Sequence, residues 1–388
     1  MDIIFNYLFT ITELFEGDVC KVLLVIHFIF MYKYWKIFIE QKILLYITIF
    51  ISYGFISTLF CLDKNVAFYE ILNYVFGWSL PFFLGYTLRK NYNANKIVLT
   101  TLFIFSSLVL IGLFSYYGFF PENFCTIRFS HDKTLTIGTW YRVLFAGKAS
   151  MMFAISLTML LFLKNINTNI KIALTLSSIL YLIGIFLSGS RIYSANVVGL
   201  LFLIIIFYYY KKRNFKQSII ILTSSLIIVL LCCTNNFVIN RIKQLSITKD
   251  VSIVYRINMY KYAISTFKKY LIFGTGPAQA TLKDEFLSVD TDVGRGGHLH
   301  SIYLNILANF GMVGLILFLL VIFYILKELI FTYKTTGDIL SLGMIFAWIC
   351  ILLGDNFDTL LGGSYFASLY FLFTGLALRM KFKINNKN

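Results

Sequence analysis

Charged residues are scarce in this sequence of 388 residues, where they account for 13% of the chain, about half of the roughly 25% that is usual for soluble domains. The chain has only three prolines, and no Pro/Ser-rich tract of the kind that joins separate domains is present. Its six cysteines show no CxxC spacing, and all but Cys125 lie in or beside apolar stretches. These shortages argue against a soluble multidomain protein, a disulfide-stabilised scaffold and a thiolate metal site.

Apolar and aromatic residues fill the chain instead: 59% of it is hydrophobic, with 41 Phe and 26 Tyr. A soluble globule of this size could not bury so much apolar surface, because a large part of any folded protein's accessible area faces solvent. Disorder is excluded as well, since disordered chains are poor in aromatic and β-branched residues. The composition therefore predicts a polytopic membrane protein.

Apolar runs of the length that crosses a bilayer as a helix, about 17–25 residues, recur along the chain. Residues 2–15 are apolar but short, and they form either a further span or an interfacial helix; they lack the basic region and cleavage site of a signal peptide. We predict an all-α polytopic membrane helix bundle of 11–12 transmembrane helices, a single integral membrane domain over residues 1–388. The predicted spans are 22–38, 43–62, 66–87, 97–118, 143–163, 172–188, 192–210, 218–234, 302–326, 339–354 and 363–379.

Basic residues fall in every second connection between these spans. The positive-inside rule makes those connections cytoplasmic, together with the C-terminus. The basic clusters are Lys33, Lys36 and Lys42; Arg89, Lys90 and Lys96; Lys164 and Lys171; Lys211, Lys212, Arg213 and Lys216; Lys327 and Lys334; and Arg379, Lys381, Lys383 and Lys387. The remaining connections are predicted to face outward: Asp63, the loop 121–141, the corner at Ser190–Arg191, the long loop 235–301 and the acidic turn 355–358.

The long outward loop 235–301 is expected to be functional, since unstructured loops of this length are uncommon otherwise. Apolar residues recur at helical spacing from Val254 to Leu271, with basic residues on other faces, which predicts a helix at the outer membrane interface. A solvated helix that merely caps the bundle explains this pattern equally well. Gly274-Thr275-Gly276 then ends the helix and permits close backbone approach.

His298 and His300, at the end of this loop, are candidates for proton transfer near neutral pH. The alternative is local structure: His298 is a polar residue at a helix entry, and His300-Ser301 stands where a helix N-cap belongs. A zinc site would need further ligands, and none stands at a recognised spacing. We therefore predict no metal.

Four cations are predicted to lie near the outward face: Arg142, Lys148, Arg191 and Arg256. An arginine between two spans, such as Arg191, is costly unless it faces water, a partner or an anion. Snorkelling to the interface is one explanation for it, and an anion clamp is the other, since guanidinium binds phosphate bidentately. The set favours a polyanionic ligand in the outer leaflet, such as a lipid-linked diphosphate. The net charge of +16 accordingly does not indicate nucleic acid.

In these features the chain resembles the O-antigen ligase and polymerase superfamily of bacterial envelope proteins. The first is the corner Ser188-Gly189-Ser190-Arg191, and the second is a helix with Arg256 and Tyr260 that ends near Gly274 and Gly276. The third and most specific is His300-Ser301 followed, after nine residues, by Gly311-Met312-Val313-Gly314. The resemblance covers roughly residues 170–325. Ile192 stands where the family often has glycine, and Ser301 is less usual there than Asn, which leaves the backbone at the corner open.

The resemblance implies an inverting glycosyltransferase without metal or other cofactor. Its donor would be a glycan on undecaprenyl diphosphate, on the periplasmic side of the bacterial inner membrane. By resemblance, Arg191 and Arg256 would bind the diphosphate, and His300 would act on the acceptor hydroxyl as base or positioning group. We expect Arg142, Lys148, Tyr260, Gly274, Gly276, His298 and Ser301 to contact substrate.

The acceptor distinguishes two functions. In a ligase it is lipid A–core, and in a polymerase it is a second lipid-linked glycan; we favour the ligase. A multispan lipid or polysaccharide transporter, which would bind such a lipid without cleaving it, is the alternative from another class. Neither an internal repeat of helix pairs nor matching Gly/Pro interruptions supports it.

Overall fold

The computed structural model describes residues 42–87, 94–119, 126–129, 132–135, 142–164, 166–234, 251–282 and 299–378. The predicted span 22–38, the segment 2–15, all four basic residues of the C-terminal tail and His298 lie outside these residues.

The described chain is built mainly of α-helices. In chain order they are α1 (Lys42–Thr58), α2 (Lys64–Tyr74), α3 (Leu80–Thr87), α4 (Ala94–Tyr116), α5 (Arg142–Phe162), α6 (Thr168–Leu187), α7 (Arg191–Lys212), α8 (Phe215–Cys233), α9 (Val251–Lys269), α10 (Ile302–Thr336), α11 (Ile339–Gly354) and α12 (Ser364–Leu378). A π-helical turn, Val75–Ser79, joins α2 to α3 into one continuous helical segment.

The predicted all-α membrane bundle is confirmed. Each predicted span from residue 43 onward corresponds to one of these helices or, for 66–87, to the joined α2–α3 segment, although α10 continues to Thr336, ten residues beyond the predicted end at 326. Six of the described helices are long and apolar enough to cross a membrane, and three further apolar helices are shorter. The chain is therefore a multipass membrane protein.

Glycines allow α3 and α12 to pack closely against each other. A Cβ atom on Gly85 would lie 2.1 Å from the carbonyl oxygen of Leu372, and one on Gly375 would lie 2.3 Å from that of Phe82. Backbone therefore meets backbone at this contact. This is the usual way for helices to associate in lipid, where dispersion contacts replace the hydrophobic effect.

The helices alternate in direction, so that the connections gather at two ends of the bundle. We call the end where α5 and α7 begin the arginine end, since Arg142 and Arg191 are the first residues of those helices. The other end, where α7 finishes at Lys211 and Lys212, is the lysine end. The described parts of the connections that we predicted to face outward lie at the arginine end; which side of a membrane this end faces stays a prediction.

A short β-hairpin was not predicted. Within the segment 121–141, which we expected to be a loop, Thr126–Phe129 pairs antiparallel with Asp132–Leu135. Thr126 lies opposite Leu135, and the Leu135 side chain is fully buried. A hairpin of four-residue strands gives too short an alternation to distinguish it from a loop by pattern.

Helix α9 confirms the predicted helix, but its buried face differs from the apolar stripe in the sequence. Ile257 and Ile264 are partly exposed, whereas Met259, Tyr262 and Ala263 are buried. The buried face packs in a separate small cluster against Leu299, Ala280 and Ala308, because α9 docks on the beginning of α10. The aliphatic stripe is left on the outside, where an interfacial helix would meet acyl chains.

Candidate active site

A cavity of about 280 Å³ lies at the arginine end, where α5 and α7 begin beside α9. Three of the predicted cationic residues line it, namely Arg142, Arg191 and Arg256, together with the predicted Tyr260. Neither Asp nor Glu is among its lining residues in the described chain. The structure thus brings together residues that are more than a hundred positions apart in the sequence.

Two helix N-termini point their positive ends toward this cavity. Arg142 and Arg191 are the first residues of α5 and α7, and both line the cavity. The backbone at Ser190 is extended (φ −78°, ψ 97°), and its side chain does not cap α7. The first amides of a helix carry partial positive charge and bind anions. The dipoles of both helices therefore add to the charge of the arginines.

Arg256 is held in place by neutral acceptors. Its Nε donates to the carbonyl of Phe357 at 3.1 Å, and its Nη1 donates to the carbonyl and the hydroxyl of Ser252, at 3.3 and 2.5 Å. These bonds orient the guanidinium without neutralising it. Its positive charge therefore remains to act on an anion in the cavity.

The turn between α11 and α12 forms one wall of the site. Phe357 accepts the bond from Arg256, and the Tyr260 hydroxyl lies 2.6 Å from the Asn356 carbonyl and 3.1 Å from the His300 carbonyl. Burial raises the pKa of Tyr260, which keeps the phenol protonated and able to donate. The sequence indicated only an acidic outward turn here, and its role in holding α9 was missed.

Asp355 anchors this turn from inside. Its carboxyl oxygens accept the amides of Leu360 and Leu361, at 3.1 and 2.9 Å, and its carbonyl accepts the first amide of α10 from Ile302 at 2.9 Å. The residue is fully buried. Burial raises the pKa of its carboxyl well above the usual range, the two amides oppose this shift, and the neighbouring charge of Asp358 adds to it.

His300 lies directly before α10, next to the residues of the cavity. Its ring packs edge-on against Tyr255, with the centroids 5.4 Å apart. Its backbone is left-handed (φ 50°), a conformation that few residues other than glycine adopt and that is frequent at functional sites. Ser301 is the N-cap of α10 and accepts the Leu304 amide at 3.4 Å. The predicted N-cap is therefore present at Ser301.

The other predicted site residues lie elsewhere. Lys148 is buried in α5, six residues beyond Arg142, and is not among the residues that line the cavity. Gly274 and Gly276 line a second cavity, of about 650 Å³, together with aromatic residues such as Tyr53 and Phe273. No charged side chain is among the lining residues of that second cavity in the described chain.

The donor set of the first cavity suits an anion. Guanidinium, hydroxyl and helix amide groups all donate hydrogen bonds, and charge-assisted bonds to phosphate are the strongest that proteins form. Within the described ranges, no three His, Cys, Asp or Glu side chains are close enough to hold a metal ion.

The fold and this cavity together define a multipass membrane protein with a cationic site at one end of the bundle. Residues 176–319 match the sequence model of the O-antigen ligase family. A search among curated proteins found no match to the chain. The family match confirms the predicted resemblance. The matched segment contains Arg191, Arg256 and His300, whereas Arg142 and the turn at Asp355 lie outside it.

Proposed function

We propose that the protein is a membrane glycosyltransferase that moves a glycan from undecaprenyl diphosphate to an acceptor hydroxyl on the periplasmic face of the bacterial inner membrane. The observation that carries this proposal is the composition of the cavity at the arginine end. Three arginines and two helix N-termini surround it, and no acid lines it among the described residues. Such a site is complementary to a diphosphate.

The cationic residues would act on the leaving group. When the bond between the sugar and the phosphate breaks, negative charge develops on the diphosphate oxygens. Fixed guanidinium groups stabilise that charge more strongly in the transition state than in the ground state, which lowers the barrier. Each charge-assisted hydrogen bond contributes about 1.5–3 kcal/mol, so two arginines are worth several orders of magnitude in rate.

His300 would act on the acceptor. Tyr260 connects the two parts of the site, since its hydroxyl contacts the backbone of His300 and it also lines the arginine cavity. An imidazole beside the cavity would take the proton of the acceptor hydroxyl or orient it, a contribution of about 10²–10⁴-fold. A single displacement by that hydroxyl inverts the anomeric carbon, and it requires no metal and no nucleotide sugar.

We favour lipid A–core as the acceptor, which makes the protein an O-antigen ligase. The decisive assay gives the purified protein an undecaprenyl-diphosphate-linked glycan together with lipid A–core, in the absence of nucleotide. Conjugate on lipid A–core supports the ligase, and longer lipid-linked glycans without conjugate identify an O-antigen polymerase. A protein that binds the donor but cleaves no bond with either acceptor behaves as a transporter and contradicts the enzymatic proposal.

The same assay tests the role of His300. We expect His300→Ala to lower the transfer rate by about 10²–10⁴-fold, while donor binding is retained because the arginine cavity is intact. The Tyr255→Phe variant serves as the control, since it keeps the aromatic ring that packs against His300. Wild-type transfer by His300→Ala would remove His300 from the mechanism.

A further inference from the structure

The geometry points to Asn309 as a positioning residue that fixes the beginning of α10, and with it His300, against the helix that carries Arg256. This inference rests on the proposed function, and it concerns a contact that the sequence motifs do not contain. It depends on a break in α10 and on a single residue, Ala280, whose amide and carbonyl are bonded to side chains of two different helices.

Helix α10 is interrupted at Gly311. The backbone there is left-handed (φ 65°), and a Cβ atom would lie 2.3 Å from the carbonyl oxygen of Ile272. The part of α10 before the break, residues 302–310, is therefore not fixed in direction by the long part after it. Its orientation must come from tertiary contacts.

The segment after α9 satisfies the backbone groups on both sides of this break. Such pairing is necessary, because an unpaired peptide group inside a membrane protein is costly. Before the break, the carbonyls of Ala308 and Asn309 accept the amides of Thr275 and Gly276, at 3.0 and 2.8 Å. After the break, the amides of Met312 and Val313 donate to the carbonyls of Leu271 and Ile272, at 3.0 and 3.2 Å.

Asn309 then links this segment to α9. Its side-chain oxygen accepts the Ala280 amide at 2.9 Å, while the Ala280 carbonyl accepts the hydroxyl of Tyr262, on α9, at 2.7 Å. Its side-chain nitrogen donates to the carbonyl and the side-chain oxygen of Asn305, at 3.0 and 3.1 Å. The Asn309 side chain is 1% exposed. Both backbone polar groups of one residue, Ala280, are thus bonded, its amide to the first part of α10 and its carbonyl to α9.

The consequence is geometric. Tyr262 lies two residues beyond Tyr260 and six beyond Arg256 on the same helix, and Asn309 lies nine residues beyond His300. Together with the bond from the Tyr260 hydroxyl to the His300 carbonyl, the bonds at Ala280 therefore set the distance between the group that would bind the donor diphosphate and the group that would meet the acceptor. A displacement of about 1 Å between such groups can cost roughly 10²-fold in rate.

The test compares Asn309→Leu, Tyr262→Phe and the double variant with the wild type in the transfer assay. We expect each single variant to lower kcat by about 10- to 100-fold with the donor KM nearly unchanged, because the arginine cavity stays intact. The double variant should lose little more than the worse single variant, since each substitution by itself breaks the connection between α9 and α10 through Ala280. Tyr46→Phe is the matched control, because it removes one tyrosine hydroxyl contact, to Tyr324, at the lysine end.

Hydrogen exchange gives a second measurement that does not depend on activity. In Asn309→Leu the amide of Ala280 loses its acceptor, so exchange in the peptide spanning 276–282 should become at least about fivefold faster. Tyr46→Phe should leave that peptide unchanged.

The outcomes distinguish a failure of the positioning role from a failure of the proposed function. Wild-type kcat in both single variants, a loss confined to KM, or fully additive losses would overturn the positioning role. If the wild type itself transfers no glycan to either acceptor, the proposed function fails and the positioning role fails with it. Hydrogen exchange then still tests the contact between Asn309 and Ala280. Faster exchange in Asn309→Leu supports it as a structural contact, and unchanged exchange overturns it.

Discussion

The two ends of α7 both carry basic residues, but for opposite electrostatic reasons. Lys211 and Lys212 stand in the last turn, where the helix dipole favours cations. Arg191 stands at the first residue, where the same dipole disfavours a cation by about 0.3–1 kcal/mol. The lysines are therefore placed where they stabilise the helix and anchor it, whereas the arginine is placed against that preference. The anionic donor that we propose for the cavity would favour this placement of the arginine.

Other helices repeat this difference. Arg142 is the first residue of α5 and lines the same cavity as Arg191, while α10 carries Lys334 in its last turn at the lysine end. Arg142 therefore shares the unfavourable placement of Arg191, and Lys334 shares the favourable placement of Lys211 and Lys212. Proteins retain such local conflicts mainly at functional sites.

The largest expected effect is on catalysis. Arg191→Ala should lower the transfer rate by about 10²–10³-fold, because it removes a donor aimed at the developing charge. Lys212→Ala should keep the rate within about twofold, since an exposed lysine far from the cavity makes a small contribution. Both rates are measured per amount of protein in the membrane. Equal losses of transfer rate in Arg191→Ala and Lys212→Ala would contradict a catalytic role confined to the arginine end.

The second-largest difference between the two ends is expected in anion binding. Inorganic pyrophosphate should raise the thermal unfolding temperature of the wild type and of Lys212→Ala, because a ligand that binds only the folded state stabilises it, by about 2.7 kcal/mol at a hundredfold excess over Kd. The increase should be lost in Arg256→Ala. Sulfate at equal ionic strength is the control for general salt effects. An undiminished increase in Arg256→Ala would place the anion elsewhere.

Two acids at helix boundaries extend the comparison to pH. Burial raises the folded-state pKa of Asp355, at the arginine end, and that of Asp338, at the lysine end. Each carboxyl group then binds its proton more tightly in the folded state. Its contribution to the stability of the fold is therefore complete below the unfolded-state pKa of about 3.9, and it is lost as the pH rises through the folded-state pKa. Stability should therefore decline as the pH rises. Asp355→Asn should reduce this decline more than Asp338→Asn, because Asp355 is fully buried. Unfolding temperatures measured from pH 4 to 8 would test this, and parallel curves for the wild type and Asp355→Asn would contradict it.

The smallest expected effect concerns the helix dipole itself. At low salt and without ligand, Arg191→Gln should stabilise the protein by about 0.3–1 kcal/mol, and Lys212→Gln should destabilise it by a similar amount. Denaturant unfolding of the two variants measures the difference, and high salt should abolish it. Shifts of the same sign in both variants would show that the dipole does not distinguish the two ends.

Much of the fold follows from the sequence because lipid imposes a simple rule on it. A segment that crosses the hydrocarbon must be apolar and must pair its own backbone groups, so hydrophobic length alone predicts the helices. The helices from α4 to α8 therefore begin and end within a few residues of the predicted spans. The hairpin at residues 126–135 was missed, because neither constraint applies outside the membrane.

The candidate site was predictable only in part. Arg191, Arg256 and His300 could be singled out because they stand in motifs of the resembling family. The turn at Asp355 acts mainly through backbone carbonyls, and any residue supplies a carbonyl, so no pattern of side chains indicates it. Lys148 shows the opposite failure: a basic residue near the right boundary in the sequence is buried within α5 and does not line the cavity.

The sequence by itself determined that the chain is a membrane bundle, where its helices lie and which cations stand at helix starts, since hydrophobic length and charge are properties of local sequence. Only the tertiary structure decided that Arg142, Arg191 and Arg256 share one cavity and that the break at Gly311 is paired with the segment 271–276. The reason is that both depend on contacts between segments far apart in the chain. Such contacts are set by how helices pack, and local sequence does not encode them.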